Sequence, residues 1–68
     1  MKTYTIETIY GSDRAVAVEL SRGGKNAATW ILEKPADEEM RVMDAKEFAK
    51  ELGATHIVIN GARQRVAA

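Results

Sequence analysis

Hydrophobic and polar residues alternate along the first half of this chain and then change period. From Lys2 to Tyr10, Tyr4, Ile6, Thr8 and Tyr10 fall on one side of an extended chain. Thr3, Thr5, Glu7 and Ile9 fall on the other, which is the two-residue repeat of a β-strand. Gly11-Ser12-Asp13 supplies a turn. Arg14 to Arg22 reads as a second strand, with Val16, Val18 and Leu20 on its apolar face and Ala15, Ala17, Glu19 and Ser21 on the opposite one. Gly23-Gly24, between Arg22 and Lys25, is a hairpin signal. Ala27 to Glu33 returns as a third strand, with Ala28, Trp30 and Leu32 continuing one face and Thr29, Ile31 and Glu33 the other.

Beyond Asp44 the period lengthens. Ala45, Phe48, Ala49 and Leu52 recur at i, i+3, i+4 and i+7, the spacing of one helix face. Asp44 stands where an N-cap belongs, Glu47 follows it at capping-box distance, and Gly53 suits the left-handed stop. A helix over about 45–52 is expected, followed by a strand over about 55–60 built on Ile57-Val58-Ile59. Lys34 to Met43 admits two readings. In one, Pro35 opens a longer helix, with Asp37, Glu38 and Glu39 at its positive end. In the other, residues 34–37 turn, Met40 to Met43 form a short fourth strand, and Asp44 caps the helix; this second reading is preferred because the cap signal is the better one. Asn60-Gly61 fits a type I′ turn, so Ala62 to Val66 either folds back as a ribbon or frays.

The fold class expected is α+β: a two-layer sandwich with an antiparallel meander of three to four strands, one helix and a returning strand. The helix needs apolar cover for Phe48 and Leu52, and the face bearing Val16, Val18, Leu20, Trp30 and Leu32 supplies it. One helix covers one face. Ile9, Ala15, Ala17, Thr29 and Ile31, with Glu7, Glu19 and Glu33 among them, are left on the other. Such a face is either ordinary solvated sheet or a flat docking surface for a protein partner or a second copy.

Composition narrows the function. The 68 residues make a single domain, 1–68, and the chain holds no cysteine for a disulfide or thiolate site. So small a core often gains stability by self-association. Ten basic and ten acidic residues balance, which argues against a general nucleic-acid binder and against an acidic mimic of DNA. The charge is uneven, though: Asp37-Glu38-Glu39 is acidic, no Asp or Glu follows Glu51, and Arg63 and Arg65 lie in the tail. No apolar run approaches the ~20 residues of a membrane span and no signal peptide is visible at Met1-Lys2, so a cytoplasmic protein is expected.

Catalytic patterns are sparse. His56 is the only histidine and sits in a strand beside Ile57, where packing is the usual role. Gly23-Gly24 lacks the Lys-Ser/Thr and helix of a phosphate loop, and the Asp37–Glu39 run on a turn holds cations weakly. An enzyme is not expected, nor a metal or cofactor.

Two stretches carry a resemblance. ETIYGSDRAVAVELSRGGK (Glu7–Lys25) resembles the opening hairpin of small phage-encoded anti-CRISPR proteins, and GATHIVINGARQRV (Gly53–Val66) resembles their glycine-to-strand-to-glycine ending. The resemblance implies a phage protein in the host bacterial cytoplasm that blocks a CRISPR-Cas effector by binding it, without catalytic residues. The function expected is a non-catalytic protein-interaction module working through Glu7, Ala15, Ala17, Glu19, Thr29, Ile31 and Glu33, with Arg63 and Arg65 as secondary contacts. The alternative is a small nucleic-acid-binding accessory protein, using Arg14, Arg22, Lys25, Arg63 and Arg65 on phosphates.

Overall fold

The computed structural model describes residues 1–66. Five strands and one helix follow the chain: β1 (Thr3–Tyr10), β2 (Ala15–Arg22), β3 (Lys25–Ile31), a 3-10 turn (Pro35–Asp37) running into α1 (Glu38–Glu51), β4 (His56–Ile59) and β5 (Ala62–Arg65). They make an α+β two-layer sandwich whose sheet has the order β3-β2-β1-β4-β5. β1–β2–β3 is an antiparallel meander, but β4 returns parallel to β1, so the sheet is mixed. The crossover through α1 makes the parallel pairing possible. Asn60 (φ 47°) and Gly61 (φ 88°) take the left-handed conformation of the expected turn, and β5 pairs antiparallel with β4 as a ribbon.

The core lies between α1 and β1–β2, where Ile6, Val18, Leu20 and Ile57 are fully buried. Ala45 and Ala49 have no exposed surface, and their small side chains bring the helix close to the sheet. Tyr4 and Thr8 complete the inner side of β1. Tyr10 ends β1 exposed to solvent. Two placements, Val16 and Ala15, differ from the expectation. The β1–β2 register steps from Ile9↔Ala17 to Tyr10↔Ala15, so Val16 is an extra residue in a bulge. That bulge turns Val16 outward and drops Ala15 into the core cluster, so Ala15 leaves the open face.

The larger difference is in residues 34–43. No strand forms at Met40–Met43; α1 begins at Glu38, well before the expected position 45, and Asp44 is helix interior, with its carboxylate 3.0 Å from Arg41. Residues 38–51 contain neither glycine nor proline, and Val42 is their only β-branched residue, so helix propensity outweighs one cap signal. Pro35 and the acidic first turn favour the same start. Thr8 Oγ1 donates to Glu38 Oε2 at 2.6 Å, which fastens the start of the helix to β1. The helix ends in a Schellman motif: Ala54 N–H donates to the Ala49 carbonyl and Gly53 N–H, at φ 88°, to that of Lys50. Lys2 Nζ donates to the Leu52 carbonyl at 2.6 Å, placing a cation at the negative helix end.

Asn60 extends the β1–β4 pairing past the end of β4. Its side-chain oxygen accepts from Thr8 N–H at 2.8 Å, and its own N–H donates to the Ile6 carbonyl at 2.9 Å. The Thr8 N–H, which lies past the last residue of β4, is thereby satisfied.

Candidate interaction surface

Residues that alternate with the buried side chains lie on the sheet face away from α1, and the strand register sorts them into rows. Ile9, Ala17 and Ile31 stand side by side across β1, β2 and β3. Ile31 is 72% exposed and Ile9 37%, whereas Ala17 is only 7% exposed because it lies between them. The row is a shallow saddle: two isoleucine ridges and an alanine floor. Ala17 is buried, yet it lies outside the core cluster on the helix side.

Glu7, Glu19 and Thr29 form the next row, with Glu7 and Glu19 directly opposite. Like charges at opposed positions on one face destabilise a sheet. Among the described residues neither carboxylate has a cation at ion-pairing distance; the one ion pair is Arg41–Asp44. Thr29 is exposed, and its hydroxyl accepts from the Asn26 amide at 3.0 Å. Thr5, Ser21, Val58 and Arg63 come next, then Thr3, His56 and Arg65. The face therefore runs from apolar at the β2–β3 corner, through acidic, to basic at β5.

The expected site residues do not all meet. Glu7, Ala17, Glu19, Thr29 and Ile31 share this face. Ala15 is withdrawn by the bulge. Glu33 is exposed just past the end of β3, at the margin. Arg63 and Arg65 occupy the far edge strand, beyond β1 and β4 from the saddle, and Arg63 Nη2 lies 3.0 Å from the Met1 sulfur.

A second concave region went unread in the sequence. α1 packs on β1 and β2, leaving an open cleft beside β4 and β5 that Lys50, Ala54, His56, Arg65 and Val66 line. Lys46 and Gln64 extend it along the helix. Among the described residues no carboxylate lines this part, and Lys46, Lys50 and Arg65 make it basic. His56 Nδ1 is 3.0 Å from Thr55 Oγ1, and that hydroxyl also accepts from Lys2 N–H. The parallel return of β4 creates this cleft, and strand periodicity alone does not foretell a parallel return.

Among the described residues, no three His, Cys, Asp or Glu side chains converge in a way that could hold a metal ion. No helix among the described residues is long and apolar enough to cross a membrane. No protein-family model, curated protein or solved structure matches this chain.

Proposed function

We propose that this chain is a non-catalytic protein-interaction module that docks a partner on the open sheet face. The observation that carries the reading is the saddle of Ile9, Ala17 and Ile31 beside two opposed, unpaired carboxylates. Exposed isoleucines favour contact with an apolar surface. The Glu7–Glu19 repulsion is relieved when a partner brings Lys or Arg against it. The partner's complementary surface is therefore an apolar knob or ridge with cations next to it.

The resemblance to anti-CRISPR proteins supplies a partner class of this chemistry. CRISPR effectors hold their nucleic acid in positively charged channels. Two carboxylates are too few to imitate a phosphate chain, so the inhibition proposed is steric obstruction or locking of a subunit. Ala17→Arg tests the docking face, because it fills the saddle with a bulky charge while the core on the other side is untouched. We expect the variant to keep its far-ultraviolet circular dichroism and lose capture of its protein partner. A folded variant that captures the same partner as strongly removes this face from the account.

Nucleic-acid binding is the second reading, and the Lys46, Lys50 and Arg65 side of the cleft favours it. The salt dependence of binding separates the two, since each phosphate contact releases counterions and steepens the loss of affinity with salt.

A further inference from the structure

We propose that Asn60 is a deamidation site that the fold holds shut, and that its conversion loosens β4 and the start of α1 from β1. Asn26 and Asn60 are the asparagines of the chain, and Asn60 alone is followed by glycine. Asn60 and Gly61 are both exposed, and apart from its chain neighbours Gly61 has no atom within 4 Å of where a side chain would stand. Nothing therefore screens the Gly61 nitrogen. The reaction follows from the bonds at hand. The Gly61 nitrogen attacks Asn60 Cγ and closes a five-membered succinimide ring. The side-chain nitrogen leaves as ammonia, carrying the hydrogen that Gly61 gives up. Water then opens the ring. Opening at Cγ leaves aspartate; opening at the main-chain carbonyl leaves isoaspartate, which adds one carbon to the backbone.

Ring closure needs Asn60 Cγ within about 3–3.5 Å of the Gly61 nitrogen and aligned with it. The fold points the side chain elsewhere. β4 lies between β1 and β5, and the Asn60 amide reaches toward β1 while Gly61 leads away to β5. Oδ1 accepts from Thr8 N–H at 2.8 Å and Nδ2 donates to Thr8 Oγ1 at 3.2 Å, so both ends of the amide are held. Both bonds must open before the ring can close. The same bonds decide what the product does. Thr8 is buried, and its hydroxyl receives a hydrogen from Asn60 Nδ2 and gives its own to Glu38 Oε2. An ionised aspartate has no hydrogen to give. Two carboxylates then face one hydroxyl hydrogen at a buried site, where like charges repel more strongly than in water. Isoaspartate also lengthens the two-residue turn that joins Ile59 to its partner Ala62. The turn lies apart from the saddle, so this chemistry does not depend on the docking proposal.

Incubation of the full chain at mildly alkaline pH, followed by peptide mapping with mass spectrometry, tests the site. Cleavage after Lys and Arg leaves Asn60 in the peptide Glu51–Arg63, which holds no other side-chain amide, and Asn26 in a different peptide as the control. In native buffer Asn60 should convert at least about tenfold more slowly than in guanidinium chloride, where the bonds to Thr8 are open. Thr8→Val keeps the backbone N–H and removes the hydroxyl; the folded variant should convert faster than wild type in native buffer. Equal rates in native and unfolded wild type, or no conversion in guanidinium chloride, overturn the proposal, as does a folded Thr8→Val chain that converts no faster. Should Thr8→Val not fold, a double-mutant cycle decides. Asn60→Asp should lower the denaturation midpoint, and by less beside Glu38→Gln than in the wild-type background. An equal drop in both backgrounds would show that the two carboxylates do not meet at Thr8 and overturn the proposed loosening.

Discussion

Trp30 on β3 and Phe48 on α1 meet edge to face, with ring centroids 5.9 Å apart and planes at 81°. The pair fastens the helix to the outer strand of the meander, yet Phe48 is 38% exposed and Trp30 half-buried. It closes the rim of the core, while Ala45 and Ala49 occupy the centre.

Phe48→Ala should therefore destabilise by roughly 2 kcal/mol, below the ~3–5 typical of a fully buried phenylalanine, because part of the ring is already wet. Chemical denaturation measures it. A cost under about 0.5 kcal/mol would show that the aromatic contact does not fasten the helix.

Asp44→Ala addresses the start of the helix. With α1 beginning at Glu38, Asp44 is interior, and alanine gains propensity while one exposed i,i+3 pair with Arg41 is lost. The two effects nearly cancel, so stability should change by less than about 0.5 kcal/mol, or rise. A loss near 1 kcal/mol is what removal of an N-cap costs, and it would restore the shorter helix.

Strand positions in the meander were legible because their alternation is local. Tyr4, Ile6, Val18, Leu20 and Leu32 are buried as their spacing requires. The helix face was legible too, in Ala45 and Ala49. Two features were not. The bulge at Val16 reverses the facing of Ala15, and nothing in an unbroken apolar run marks where a strand gains a residue. The helix start was obscured because Asp44 is both a good cap and a tolerable interior residue, so local signals conflicted. Of the face, Ile9, Ala17 and Ile31 could be grouped from the sequence, but their alignment in one row needed the register. The basic cleft was hidden altogether, since it depends on β4 returning beside β1.

Glu7→Lys separates stability from docking. It converts an opposed pair of carboxylates into an opposite-charge pair with Glu19, so the fold should gain about 0.5 kcal/mol. Partner binding should weaken, because the cation now comes from within the chain. Thermal denaturation and binding to the captured partner are measured on the same variant. A variant that is less stable and binds unchanged would mean the Glu7–Glu19 pair has neither role.

The isoleucine methyl groups give the most direct test of the docking face. Ile9 and Ile31 lie on that face, whereas Ile6 and Ile57 are buried on the helix side and Ile59 lines a separate hollow there with Glu38, Glu39 and Asn60. Methyl NMR spectra of the labelled chain should be compared with and without the captured partner. We expect the Ile9 and Ile31 signals to shift or broaden most, with Ile6 and Ile57 little changed. Shifts confined to Ile57 and Ile59, with Ile9 and Ile31 unmoved, would place the partner on the helix side of the sheet and contradict the account.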